Sequence, residues 1–266
     1  MKRKIYLKLA LISTLMLLFT ACGSDSNRVL QEFSDTVDGD DSGYIEPNKK
    51  IFLIGDSTVN NPTDIGMGWG DQIGNYMVNP DNLYNLAQSG SSSKSYKEPD
   101  DYYNNWPKTK RFIESTDIDN GGYLLIQFGH NDESYDEDIK TYAGVGNSFY
   151  NELREYVVYA QSVSLTPVLI TPVERMEKVD GYLHYTHDGY AQTVRDLAQK
   201  EGVLLLDLQD KSWNKFNEYK DTEELVSIFG YEDNTHFNSY GADVIASLLK
   251  ELICSSDNQT LCKQFK

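Results

Sequence analysis

The sequence predicts an α/β protein, a three-layer domain with a central five-stranded parallel sheet. Five short runs are apolar almost throughout, as in strands buried on both faces of a sheet. Longer stretches among them repeat their apolar residues at helical spacing. Small polar motifs follow the runs directly, and in open parallel sheets the sites collect at those strand ends.

The chain begins with an address. Lys2, Arg3, Lys4 and Lys8 precede the apolar stretch Leu9–Phe19, which only Ser13 and Thr14 interrupt. This anatomy predicts a secretory signal peptide over residues 1–21. Leu18-Phe19-Thr20-Ala21-Cys22 resembles a bacterial lipobox, which implies that Cys22 is lipidated and becomes the first residue. Two or more acyl chains there give stable anchoring to a membrane surface. The expected location is an exported, membrane-anchored lipoprotein, periplasmic or on the cell surface, and otherwise a secreted protein. Residues 22–49 read as an acidic linker, and the spacing of Asp35, Asp38, Asp40 and Asp41 misses the calcium-loop pattern. Residues 50–266 form the folded domain.

The predicted strands are Lys50–Ile54, Leu83–Ala87, Tyr123–Phe128, Pro167–Ile170 and Val203–Leu206. Between the third and fourth, Phe149, Leu153, Tyr156, Val157 and Ala160 share one helical face. Residues 188–201 form a second helix. Ile245, Leu248, Leu249 and Leu252 mark the last one. Cys254 and Cys262 then close a short C-terminal loop. Export permits a disulfide between them, and two separate thiols are the alternative.

Composition excludes several classes. Among 266 residues, 24 Lys+Arg stand against 41 Asp+Glu, for a formal charge of −17. Loss of residues 1–21 removes four positive charges and leaves −21. Such a chain lacks the clustered cations that a phosphate backbone requires, so no nucleic-acid partner is expected. Contact with a membrane is expected only through the lipid. No apolar run reaches the roughly 18 residues of a membrane span. Three cysteines are too few for a disulfide scaffold or a multi-zinc module.

Four polar blocks lie at the predicted sheet edge. Gly55-Asp56-Ser57-Thr58 follows the first strand and Gln88-Ser89-Gly90-Ser91 the second. Gly129-His130-Asn131-Asp132 follows the third, and Asp233-Asn234-Thr235-His236 precedes the last helix. Together they hold the inventory for acyl transfer. A serine hydroxyl is a weak nucleophile and needs an adjacent base, so Ser57 pairs with His236. The base needs an acceptor on its other ring nitrogen, and Asp233 lies three residues away. Glu232 is an alternative acceptor, which the three-residue spacing disfavours. The backbone N–H groups of Ser57 and Gly90 and the amide of Asn131 are candidate donors to an oxyanion. This chemistry calls for no metal and no cofactor.

These blocks resemble the SGNH (GDSL) hydrolase superfamily over residues 50 to about 253. The matching residues are Gly55-Asp56-Ser57, Gly90, Gly129-x-Asn131-Asp132 and Asp233-x-x-His236. The resemblance implies a flavodoxin-like fold. It also implies nucleophile Ser57, base His236, acid Asp233 and oxyanion donors Ser57, Gly90 and Asn131. Within the superfamily, Ile54–Val59, Phe128–Asp132, Leu169–Val173 and Thr235–Ala242 are most similar to the rhamnogalacturonan acetylesterase branch. That branch removes acetyl groups from pectic polysaccharide, so an acetylated polysaccharide or oligosaccharide is the implied partner. Members often carry Arg after the block-two glycine; here it is Ser91, a departure that bears on substrate.

Other features have competing readings. Ser57 is also a good helix N-cap. Asp56 and Asp132 are expected to bond backbone at strand ends. His130 either touches substrate or packs beside the site. Arg175, after the fourth strand, is a candidate contact for an acidic sugar carboxylate, and otherwise forms a surface ion pair. His184 and His187 suggest a metal, but no third ligand accompanies them. Gly66-x-Gly68-x-Gly70 reads as a flexible turn, with Trp69 packed near the site. Tyr102, Tyr103 and Trp106 either stack on sugars at a cleft rim or belong to the core. Two other functions compete with the esterase. A lipase or thioesterase needs a long apolar tunnel, against which the serines of Gln88–Tyr96 argue. A non-catalytic glycan-binding protein would bind without turnover.

Overall fold

The computed structural model describes residues 48–60, 66–98, 105–118, 121–134, 140–219, 222–230 and 233–266. The expected signal peptide, Cys22 and nearly all of the acidic linker lie outside these residues, as do Tyr102, Tyr103 and Glu232. In chain order the elements are β1 (Lys50–Gly55), α1 (Trp69–Gln72), β2 (Leu83–Asn85), α2 (Trp106–Ser115), β3 (Gly122–Gln127), α3 (Ser148–Ser162) and β4 (Leu165–Ile170). There follow β5 (Lys178–Val179), β6 (Tyr182–Leu183), α4 (Asp188–Glu201), β7 (Leu204–Leu206) and α5 (Leu208–Glu218). The chain closes with α6 (Thr222–Val226), α7 (Ser239–Ser255) and α8 (Gln259–Cys262).

Five strands form one sheet in the order β2-β1-β3-β4-β7, and every pairing is parallel. Side chains alternate across a strand, so each strand feeds two cores. On one face Ile51, Leu53, Leu125, Val168 and Ile170 pack with Trp69 of α1, Phe216 of α5 and Ile245 and Leu249 of α7. On the other, Phe52, Ile54, Leu124, Ile126 and Leu169 pack with Ile113 of α2, Leu153 and Val157 of α3 and Val194 and Leu197 of α4. These are the three layers expected from the sequence. All five residues of the expected α3 face are buried.

The differences have local causes. β2 ends at Asn85 rather than Ala87, although Leu86 and Gln88 still donate to the carbonyls of Leu53 and Gly55. The Asn85 side chain accepts from the Ala87 N–H and donates to the Val59 carbonyl, which turns the edge strand towards block one. Helices α1, α2, α5, α6 and α8 and the β5–β6 hairpin go beyond the elements expected from the sequence. α5 buries only Leu208, Gln209, Ser212 and Phe216, and two of these four are polar. Gly66-x-Gly68-x-Gly70 is not a loose turn. The N–H groups of Gly68, Trp69 and Gly70 donate to the carbonyls of Asn60, Thr58 and Val59. A Cβ on Gly68 would stand 2.4 Å from the Val59 carbonyl carbon, so only glycine allows this approach. Tyr96 and Trp106 are core residues. Cys254 and Cys262 form a disulfide that fastens α8 to the end of α7.

Candidate active site

All four polar blocks lie at the ends of strands or in the loop before α7. Asp56 directly follows β1, and its carbonyl accepts from the N–H groups of Val59 and Asn60, making a single tight turn that carries Ser57. Ser57 therefore caps no described helix; its hydroxyl faces block four instead. Asp56 is fully buried and accepts from the Thr58 N–H (2.9 Å) and hydroxyl (2.7 Å). The Thr58 hydroxyl accepts from Gln127 at the end of β3 (2.7 Å), and Gln127 accepts from the Trp69 indole (2.9 Å). The Ser57 turn is thus braced by side chains from β3 and α1.

Block four is held as firmly. Gly230 donates to the His236 carbonyl, Met67 to that of Phe237, and Met176 to that of Asn234. Asn238 caps α7 by accepting from the Gly241 N–H, while its amide donates to the carbonyls of Ser227 and Phe229. This places the His236 Nε2 atom 2.8 Å from the Ser57 hydroxyl and its Nδ1 atom 2.7 Å from Asp233 Oδ2. Asp233 Oδ1 accepts from the N–H groups of Thr235 and His236. Burial works to raise the Asp233 carboxyl. The bonds from His236 and from the two backbone N–H groups outweigh it and hold the group below its usual value. The three side chains are only partly buried, so a substrate can reach them.

The segments of the candidate donors are tied together, beginning with the Asn60 amide, just after block one, which donates to the Ser89 hydroxyl of block two (3.0 Å). Gly90 has φ +77°, inside a turn closed by the Ser91 N–H donating to the Gln88 carbonyl. A turn of this kind needs a residue that tolerates positive φ. The Asn131 amide donates one hydrogen to the Ser91 carbonyl (2.9 Å), which ties blocks two and three together and leaves its second hydrogen for another acceptor. Ser91 itself is fully buried. Ser92, Ser93 and Ser95 are buried too, and bond to one another or to Asp132. Asp132 accepts from the Ser93 N–H (3.0 Å) and hydroxyl (2.5 Å). Burial pushes its carboxyl up to about 8, against the pull of those bonds.

His130 and Arg175 line a cavity of about 550 Å³ beside the triad, together with Glu133, Glu177, Thr186 and Asn234. His130 is buried, with Nδ1 3.4 Å from Asp56, and its ring packs edge-on against His187 at 4.3 Å. Burial and the neighbouring His187 push His130 down to about 4, despite Asp56, so the ring is neutral at pH 7. Arg175 is engaged within the protein. It donates to Glu133 (2.8 Å), to the His130 carbonyl (3.2 Å) and to the Thr235 hydroxyl. The second Glu133 oxygen lies 2.7 Å from Nδ1 of the buried His187. His187 is therefore a structural partner of Glu133, while His184 is exposed. Among the described residues no group of three or more His, Cys, Asp or Glu is placed to hold a metal. No described helix is long and apolar enough to cross a membrane.

Sequence comparison agrees with this geometry. Residues 53–244 match the model of the GDSL-like Lipase/Acylhydrolase family. The Bacillus subtilis protein named "Probable rhamnogalacturonan acetylesterase YesY" is 31% identical over 206 residues, covering 75% of this chain and 89% of that protein. Rhamnogalacturonan acetylesterase RhgT of the same organism is 30% identical over 218 residues, covering 76% and 88%. Among solved structures, a Bacillus subtilis protein superposes with a TM-score of 0.66 at 21% identity. That match covers 80% of this chain, which spans 58% of the other. The acetylxylan esterase Axe2 from Geobacillus stearothermophilus superposes with a TM-score of 0.51 at 17% identity, covering 77% and 93%. At these identities the likeness speaks for the fold.

Proposed function

The chain belongs to the GDSL-like lipase/acylhydrolase family, and we propose that it is a serine carbohydrate esterase that removes O-acetyl groups from a plant polysaccharide. The observation that carries this is the unbroken line from the Ser57 hydroxyl through His236 to Asp233, with contacts of 2.8 and 2.7 Å. The two curated relatives, both named as rhamnogalacturonan acetylesterases, support acetylated rhamnogalacturonan, and hence pectin, as the substrate.

Ser57 Oγ attacks the acetyl carbonyl carbon while its proton passes to His236 Nε2. Asp233 holds the imidazole in the tautomer that accepts there and stabilises the cation that forms. The carbonyl oxygen becomes an oxyanion that the N–H groups of Ser57 and Gly90 and the free Asn131 hydrogen can receive. Collapse breaks the bond to the sugar oxygen, which takes the proton from His236. Water then repeats the sequence on the acetyl-serine and releases acetate. Every step uses this chain's own groups and needs no metal or cofactor.

The same reading includes export. The basic and apolar start of the chain supports a signal peptide, and Leu18–Cys22 supports a lipid on Cys22. Mass spectrometry of the mature N-terminus tests this: a diacylated Cys22 is expected, and an uncleaved Met1 overturns it.

Acetate release from acetylated rhamnogalacturonan, from acetylxylan and from short and long p-nitrophenyl esters tests the activity. Release from a polysaccharide, abolished in Ser57→Ala, is expected. Cleavage of long-chain esters alone would instead mark a lipase.

A further inference from the structure

We propose that the β5–β6 hairpin and the cavity at its base form a binding subsite for an uncharged sugar ring next to the acetylated residue. This rests on the polysaccharide esterase reading above. The chain leaves β4 at Ile170, passes Arg175 and Met176 into the hairpin and returns to α4. The Met176 N–H donates to the Asn234 carbonyl, and Arg175, Glu177 and Asn234 line one cavity, so the hairpin's base lies beside block four. Asp180 (φ +54°) and Gly181 (φ +84°) form its two-residue turn, and two positive φ values in succession give the tight hairpin turn that matches strand twist. Val179 pairs with Tyr182, and Lys178 with Leu183. One step further down, the His184 N–H donates to the Glu177 carbonyl.

Side chains alternate along a strand. Glu177, Val179, Tyr182 and His184 therefore share one face, and Lys178 and Leu183 share the other. Leu183 packs against the main core, which fixes the inner face. Glu177 lines the cavity, so the outer face continues from it. On that outer face Tyr182 is 77% exposed and Val179 46% exposed. An exposed tyrosine on the same hairpin face as the cavity-lining Glu177 suits the apolar face of a pyranose ring. The cavity volume, about 550 Å³, lies within the range of small-molecule sites.

The charges select the ring. Among the described lining residues Arg175 is the Lys or Arg side chain, and Glu133 accepts two hydrogen bonds from it. Glu177 adds an exposed carboxylate at the hairpin base, on a chain of formal charge −17. A uronic carboxylate in the subsite would face Glu177, beside a guanidinium already engaged by Glu133. Hydroxyl groups of a neutral sugar can donate to the same carboxylate. In a polymer that alternates neutral and uronic sugars this sets the register, with the neutral ring under Tyr182.

The test compares kcat/KM on an acetylated rhamnogalacturonan oligosaccharide with kcat/KM on p-nitrophenyl acetate. In Tyr182→Ala the ratio of the two should fall roughly two- to tenfold, and Tyr182→Phe should restore it. An unchanged ratio in Tyr182→Ala overturns the proposal. Calorimetric titration of Ser57→Ala with a xylo-oligosaccharide and an oligogalacturonate of equal length tests the choice of ring without turnover. The neutral oligomer should bind more tightly, and tighter binding of the oligogalacturonate overturns it. Hydrolysis of p-nitrophenyl acetate with no acetate from any glycan would sink the polysaccharide reading, and the titration then decides the subsite by itself.

Discussion

Arg175 donates a hydrogen bond to the hydroxyl of Thr235, the residue immediately before His236. From a second nitrogen the same guanidinium reaches the carbonyl of His130, the residue immediately before Asn131. One side chain thus ties the segment carrying the proposed base to the segment carrying a proposed oxyanion donor. Glu133 holds the guanidinium in place and is itself held by the buried His187. The planar, multi-donor head of arginine suits such a junction, which lysine cannot reproduce.

Arg175→Gln should lower kcat by about ten- to a hundredfold, because small displacements between reacting groups are costly. The loss should be of similar size on p-nitrophenyl acetate and on acetylated glycan, with KM little changed. If Arg175 instead gripped a sugar carboxylate, KM would rise for acidic glycans only, and steady-state kinetics on both substrates separate the two cases.

Asp233→Asn should cut kcat by about 10⁴, as expected when the orienting carboxylate of a triad is neutralised. In the native protein the His236 bonds hold Asp233 below its usual value. Its contribution to stability is therefore complete above the unfolded value of about 3.8 and is lost only as pH falls through the lower folded value. Acid unfolding should begin at higher pH in a variant that retains Asp233 but lacks its imidazole partner, such as His236→Ala. Circular dichroism against pH would show an unshifted midpoint if the pairing were of no consequence.

Asp132 works in the opposite direction. Its folded value, raised to about 8, exceeds the unfolded value of 3.8, so between them the native state holds a proton that the unfolded chain has released. Stability from this group must fall as pH rises from about 4 to 8. Urea unfolding at pH 5 and pH 8 should show the wild type losing ground to Asp132→Asn at the higher pH. A constant difference between the two proteins would contradict the assignment.

The disulfide between Cys254 and Cys262 closes a loop with a sequence separation of 8. A loop that short is worth about 2–3 kcal/mol on the chain-entropy account. Replacing both cysteines by serine should lower Tm by roughly 5–10 °C. Because Phe265 bridges to Met77 and Lys266 donates to Tyr76, hydrogen exchange should rise first in this C-terminal segment.

The fold and the Ser57–His236–Asp233 arrangement were legible in the sequence for a physical reason. A parallel sheet buries both faces of its strands, so Ile51–Ile54, Tyr123–Ile126 and Val168–Ile170 appear as unbroken apolar runs. Residues that follow such runs stand at one edge whatever the loops do, and this groups Ser57, Gly90 and Asn131, while His236 comes from the loop before the last helix. Asp233 and His236 are three residues apart, close enough for one local turn to join them.

Only the tertiary structure decided what the longer-range side chains do. The partners of Arg175 lie 42, 45 and 60 residues away in sequence. No periodicity reports such pairings, so the sequence left both substrate contact and an ion pair open for Arg175, which the structure bonds to Glu133, His130 and Thr235. Helix α5 was hidden because its inner face includes Gln209 and Ser212, whose burial depends on hydrogen bonds to other segments, such as that from the Glu174 N–H to Ser212. The β5–β6 hairpin was hidden because two-residue strands leave too short a pattern to read. Apolar spacing is a local signal and specifies which elements form. Contacts between loops follow from where the packed elements carry their ends, and that is fixed only when the two cores close on the sheet.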